Sequence, residues 1–487
     1  YATPPVGALR WTPPKPYGFF HHFFLQATKF GSQCTQGGAS DSENCLFLNV
    51  YTPRNRFFGG GGEEARGRGD EFPGGLPVMV WIHGGGLTGG AGSDYDPSQL
   101  VKKGVIVVTI NYRLGLLGFF AQSALDTEGH EAGNYGFMDQ QLALNWVRKN
   151  IAGFGGDPRR VTIFGESAGG QSVYAQLASP TAAHLFRGAI AESGSYVEFQ
   201  DYFDFIVTLA IAETTGNGQV PSGAAIASSV GCASQTAACL RAVPASTLVG
   251  VQPGTLYPFV DGTLLTQTPG QAFLSGEFNQ VPVISGTNHD EWRIFVAEQY
   301  GLGALLATLT EYNDATLALW GPLLATIVES LYPDSPADAV DGPEALGASG
   351  TDGIFACPAR NADQLLSNFV TTFTYEFNDE NAPPAQSSIP GLTFPLGAYH
   401  AAELQYLFTL GGVPAVFTPA QQQLSAAMVS YWTQFAKNLD PNSATEPVWS
   451  PYSTTSDEFQ SLIPPTPVVE STGAFAAAHL CGFWDAF

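Results

Sequence analysis

The run VTIFGESAGG (161–170) limits the fold of this chain more than any other segment. Its first four residues are apolar and mostly β-branched, the mark of a short buried strand. Gly165-Glu166-Ser167-Ala168-Gly169 then fits G-x-S-x-G, and a helix can follow. A serine at such a strand-to-helix turn sits in a sharp, strained backbone, so the residues two before and two after it must be small. The turn lifts the hydroxyl above the end of a sheet, and the next helix aims its amino end at negative charge developing there. The plain alternative is a glycine turn with an incidental serine, which predicts no companion motif elsewhere.

A companion motif is present. PVMVWI (77–82) reads as a buried strand, and His83-Gly84-Gly85-Gly86 follows it directly. Glycines let a backbone approach a reacting oxygen closely. The N–H groups of Gly85 and Gly86, with that of Ala168, are the expected donors to an oxyanion.

Other strand-like runs are LFLNVYT (46–52), VIVVTI (105–110), GAIAES (188–193), VPVISG (281–286) and TTFTYEF (371–377). A helical pattern over 138–150 carries Leu142, Leu144, Trp146 and Val147. Strands alternating with helices predict an α/β fold with a large, mostly parallel central sheet covered on both faces. The stretches 200–275 and 295–365 lack clear strands and are expected to form helices and loops over the site. The glycine-rich, charged segment 59–75 reads as an exposed loop between two strands. The apolar stretch 317–328 is broken by Gly321 and Pro322, is too short to span a bilayer, and reads as core.

Hydrophobic residues make up 44% of the 487 positions, enough for a sizeable core. The net charge of −24, from 43 acids against 19 bases, argues against nucleic-acid partners. No apolar run is long enough to predict a membrane span. Tyr1 begins without a leader sequence, which fits a processed or truncated chain. The six cysteines fall into the pairs Cys34–Cys45, Cys232–Cys239 and Cys357–Cys481. Three disulfides imply an oxidising compartment, and hence secretion. Cysteines and histidines do not cluster at metal-ligand spacing, so neither metal nor cofactor is expected.

A serine nucleophile needs a base and an acid, in the chain order Ser, acid, His for this topology. Four of the eight histidines follow Ser167. His184 is too close in sequence, His289 sits beside the candidate acid, and His479 lies next to Cys481. His400, in a loop soon after the strand-like run 371–377, is the expected base. Asp290 and Glu291 both lie just past a strand, and spacing does not choose between them.

The chain resembles the type-B carboxylesterase/lipase (cholinesterase-like) family of the α/β-hydrolase superfamily over nearly its whole length. The likeness rests on YATPPVGALRW, SENCLFLNVYTP, VMVWIHGGG, INYRLGLLGF, NYGFMDQQLALNWVRKNIAGFGGDP, FGESAGG, GTNHDEW and HLCGFWDAF. It implies the α/β-hydrolase fold as a single domain over 1–487 and ester hydrolysis by a serine carboxylesterase. It assigns the acid to Glu291, in a G-x-N-x-D-E-G signature whose last glycine is here Trp292. It assigns the base to His400, where the family's H-G-x-E-L reads HAAEL. It also implies the same three disulfides, a supporting serine at Ser193 and an ion pair between Glu43 and Arg113. Glu166 is expected first as a buried, hydrogen-bonded carboxylate holding the turn, and second as a group lining the site.

The expected substrates are small to medium soluble esters. Only TQGGASDSEN separates Cys34 from Cys45. In the resembling family this loop is a long apolar lid in fungal lipases, and in cholinesterases it carries a tryptophan that receives choline. A short polar loop offers neither. A lipase or sterol esterase, a cholinesterase and a non-catalytic adhesion relative are the rival readings.

Overall fold

The computed structural model describes residues 1–18, 27–53, 75–195, 206–218, 220–301, 306, 308–334, 341–384 and 391–486. Nine strands form the central sheet: β1 (Leu48–Tyr51), β2 (Leu76–Ile82), β3 (Ile106–Ile110), β4 (Gly156–Glu166), β5 (Gly188–Glu192), β6 (Val283–Asn288), β7 (Thr372–Phe377), β8 (Gln460–Leu462) and β9 (Val468–Val469). Their spatial order is β1-β3-β2-β4-β5-β6-β7-β8-β9. The strands from β3 to β8 pair in parallel, and antiparallel β1 and β9 close the edges. Seven of the nine strands fall on the expected runs. Most of 59–75 lies outside the described residues, so the loop expected there is not described.

Both faces of the sheet are buried because successive side chains of its central strands are apolar. Val78, Val80 and Ile82 of β2 point into one core, and Met79 and Trp81 point into the other. On the first face lie α1 (Tyr135–Asn150) and α2 (Ala168–Ala178), which contribute Phe137, Leu144, Val147 and Val173. On the second lies α3 (Pro419–Asn438), with Leu424, Met428, Trp432 and Phe435. Each such buried aliphatic or aromatic side chain contributes roughly 1.5–3 kcal/mol. A capping box starts α3, in which Thr418 and Gln421 satisfy each other's backbone N–H groups.

Helices fill the described parts of the two strand-poor stretches, including Gly223–Ser229, Pro269–Ser275, Leu309–Leu331 and Cys357–Ser367. The run 317–328 departs from its expected place in the core. It belongs to the helix Leu309–Leu331, which is kinked at Gly321, and Leu317, Leu323 and Ile327 are exposed. The chain is apolar on both faces there, and the kink lets only one of them, with Trp320, Leu324 and Val328, reach the core.

All three expected disulfides are formed, between Cys34 and Cys45, Cys232 and Cys239, and Cys357 and Cys481. Among the described residues no helix is long and apolar enough to cross a membrane. The expected Glu43–Arg113 ion pair is not formed. Arg10 takes both carboxylate oxygens of Glu43, at 2.6 and 2.7 Å. Arg113 instead binds both oxygens of Asp139, at 2.8 Å each. Each guanidinium fork is thus matched to one carboxylate, and Asp139, buried on α1, lies directly beside Arg113.

Candidate active site

The expected site residues meet past the carboxyl ends of β2, β4, β6 and β7, where open parallel sheets hold their ligands. β4 stops at Glu166 and α2 starts at Ala168, so Ser167 alone makes the turn, with φ 58° and ψ −127°. Its N–H donates to the carbonyl of Glu192 at the end of β5, at 2.9 Å. The flanking glycines are sterically required. A Cβ on Gly169 would lie 2.0 Å from the carbonyl oxygen of Ile82, and one on Gly165 would lie 2.6 Å from it.

The loop after β2 crosses beside this turn. A Cβ on Gly84 would fall 2.9 Å from Cβ of Ser167. Gly85 and Gly86 take φ of 96° and 62°, and neither donates its N–H to a described residue. The Ala168 N–H, in the first turn of α2, has no acceptor within the helix. The carbonyls of this loop are taken: that of Gly85 accepts from Thr88 and Gly89, and that of Gly86 from Leu256. His83 stacks on Tyr112, and burial lowers it to about 4, so it is neutral here.

Glu291 and His400 come together although they are 109 residues apart, with Oε2 of Glu291 2.6 Å from Nδ1 of His400. Two backbone bonds hold the segments side by side, from Asp290 N–H to Ala398 and from His400 N–H to Glu291. The other oxygen of Glu291 accepts from the Thr287 hydroxyl and the Asn288 N–H, at 2.8 and 2.7 Å. Asp290, the alternative acid, turns away to Arg293, His289 and the N–H of Ala398. The choice that spacing left open is thus made by geometry, in favour of Glu291 as the partner of His400.

Glu166 is buried, as expected for either reading. Its Oε1 is buried without a hydrogen bond and lies 3.2 Å from Nε2 of His400. Burial raises this carboxyl to about 7, with His400 acting against the rise and Glu291 adding to it. For His400, burial opposes protonation, but the charges of Glu166 and Glu291 outweigh it and the imidazole is raised above its ordinary range. Glu166 thus has one carboxylate oxygen facing His400. Ser193 is buried at a φ of 48°, and its hydroxyl has no hydrogen-bond partner among the described residues.

Two further acids escaped the sequence reading. Glu192 lies buried with Oε1 accepting from the Trp432 indole, and burial raises it to about 8. Glu403, also raised by burial, accepts from Asn288, whose amide also donates to Tyr399. Glu403 is the acid of HAAEL, three residues past His400, and that spacing was the only signal. Trp292 finds space because Gly350 lies opposite: a Cβ there would meet its ring at 2.2 Å. Trp292 packs with Phe295 and Phe355, whose rings flank His400 at 5.1 and 5.0 Å.

The profile of the Carboxylesterase family matches residues 1–484. The chain belongs to that family. It is 33% identical to the cocaine esterase of Homo sapiens, over 99% of this chain and 85% of the relative. It is 34% identical to carboxylesterase 1D of Rattus norvegicus, over 93% and 82% of the two chains. A solved PNB esterase superposes with a TM-score of 0.77 at 31% identity, covering 99% of this chain and 94% of the other. This carboxylesterase therefore has the α/β-hydrolase fold and is a carboxylic ester hydrolase.

Proposed function

We propose that the chain hydrolyses small to medium soluble esters through Ser167, His400 and Glu291. The observation that carries this reading is the placement of His400, with Nδ1 on Glu291 and Nε2 3.2 Å from Oε1 of Glu166, the residue before Ser167. Ser167 Oγ attacks the ester carbonyl while Nε2 of His400 takes its proton. Glu291 holds the tautomer with the proton on Nδ1 and stabilises the imidazolium. The oxyanion rests on the N–H groups of Gly85, Gly86 and Ala168. The imidazolium protonates the leaving alcohol, the C–O bond breaks, and an acyl group remains on Ser167. Water, deprotonated by His400, then attacks the acyl carbon and releases the acid. Ser193, just past the end of β5 whose Glu192 carbonyl accepts from Ser167 N–H, is assigned a supporting role. All of this is assigned to one domain spanning 1–487, since one nine-stranded sheet runs from Leu48 to Val469 and positions the proposed site. Three disulfides support secretion.

Substrate size is read from the Cys34–Cys45 loop. Gln36 fastens it to the glycine loop, accepting from Gly90 N–H at 2.8 Å and donating to Gly90 O at 3.1 Å. A loop held in this way is a wall, not a lid, and it carries no aromatic face for a quaternary ammonium. Rate against concentration of a short-chain triglyceride should follow a smooth hyperbola through the solubility limit. A sharp jump as droplets form would establish a lipase.

The pH profile tests the pairing of Glu166 with His400. His400 must be neutral to accept a proton, and its affinity for protons is raised. The acid limb of kcat/KM should therefore lie above the ~6.5 of a free imidazole. Glu166→Gln removes the leading charge that favours the imidazolium, so the limb should move to lower pH. A limb that stays in place or moves upward would show that Glu166 does not act on His400.

A further inference from the structure

Away from the serine, the fold gathers His289, Glu376 and His479, from the β6–Glu291 turn, from β7 and from the C-terminal segment. One ligand atom from each lies within 4.8 Å of the others. We propose that this His-Glu-His group is a binding site for one divalent transition cation of the zinc class, separate from the esterase centre.

The first argument is which nitrogens are left to bind. Nδ1 of His479 is engaged by Asp352 at 2.6 Å, and Nδ1 of His289 by Asp290 at 3.2 Å. Each imidazole is thus oriented by a carboxylate on Nδ1, the support that metal-bound histidines regularly have, which leaves Nε2 as the nitrogen for a cation. Nε2 of His479 already faces Oε1 of Glu376 at 2.5 Å, and Asn378 holds the other oxygen of Glu376 at 2.8 Å. A cation would take the place of the proton now shared between His479 and Glu376.

The second argument is spacing. Two imidazoles bound at about 2.0–2.1 Å to a tetrahedral cation place their ring centres about 5 Å apart. The rings of His289 and His479 have centres 5.4 Å apart. Ligand atoms around such an ion stand about 3.4 Å from each other, so the His479–Glu376 pair, now 2.5 Å apart, must open slightly and the site needs a closing movement of up to about 1.4 Å. His289 can supply it, since its side chain is 36% exposed while those of His479 and Glu376 are buried. It also gives the ion a way in from solvent. Two imidazole nitrogens and one carboxylate oxygen suit zinc, cobalt, nickel or copper, whereas calcium and magnesium require more oxygen ligands. A bound ion would tie the turn carrying Glu291 to β7 and to the segment anchored by the Cys357–Cys481 disulfide.

The test is calorimetric titration of the chelator-stripped full-length chain with zinc chloride, with cobalt(II) absorption as a second readout. One zinc ion should bind per chain at micromolar or tighter affinity, and cobalt should give the intense visible bands of a four-coordinate site. His289→Ala should weaken zinc at least tenfold and abolish the cobalt bands, with an unchanged circular dichroism spectrum. Asp352→Asn should weaken zinc about 10–100-fold. Zinc should raise Tm of the parent and not of His289→Ala. Ser167→Ala should bind zinc as the parent does, so this proposal and the proposed ester chemistry can fail separately. Absence of stoichiometric binding, or parent-like binding by His289→Ala, overturns it.

Discussion

Replacing Ser167 with alanine should lower kcat/KM on a nitrophenyl ester by at least about 10³-fold, and by as much as ~10⁶-fold if the residues act as one unit. The size follows from what is removed. Without Oγ there is no acyl-enzyme, and the base and oxyanion donors can assist only direct attack by water. Tm should hold, because alanine carries the same Cβ into the same φ of 58°. An organophosphonate should add once to the parent chain, at Ser167, and not at all to the variant. Labelling at another serine, or an alanine variant with parent-like rates, would remove Ser167 from the mechanism.

The parts of the site that sequence made legible are those whose backbone admits few residue types. Gly165 and Gly169 are held by the carbonyl of Ile82, and Ser167 by a left-handed turn, so the motif is almost a drawing of the local geometry. The main strands were legible because both faces of the sheet are buried, which makes each strand a continuous apolar run. β8 and β9 were missed because they are three and two residues long, at the edge, with the polar sequence QSL in one of them. Side-chain partners were much less legible. Glu43 and Arg113 are each in an ion pair, but with Arg10 and Asp139. Nothing in a linear spacing decides which of two nearby forks a carboxylate meets. The choice between Asp290 and Glu291 had the same character, since it turns on which carboxylate the 397–400 segment leaves facing the imidazole. His289, Glu376 and His479 meet only after three distant segments pack, so no spacing rule could group them.

The two buried histidines should separate cleanly on mutation. His400 and His479 each face two carboxylates: Glu291 and Glu166 in one case, Asp352 and Glu376 in the other. The surroundings differ in what the imidazole is free to do. Both nitrogens of His479 are in short hydrogen bonds, at 2.6 and 2.5 Å, which without a bound ion tie the C-terminal segment to β7. Nε2 of His400 has no hydrogen bond, which leaves it able to exchange a proton with a reacting group. His400→Gln should therefore lower kcat/KM by at least about 10³-fold, since an amide cannot take and return a proton at neutral pH. Its Tm should change much less than its rate. His479→Gln should leave two buried carboxylates without their shared cation, a defect of about 3–5 kcal/mol. Tm should drop by several degrees while kcat per folded molecule stays near that of the parent. Thermal melts and active-site titration on both variants give the comparison directly. If His479→Gln were inactive yet stable, and His400→Gln active, the catalytic base would have to be His479 and the Ser167–His400–Glu291 assignment would fall.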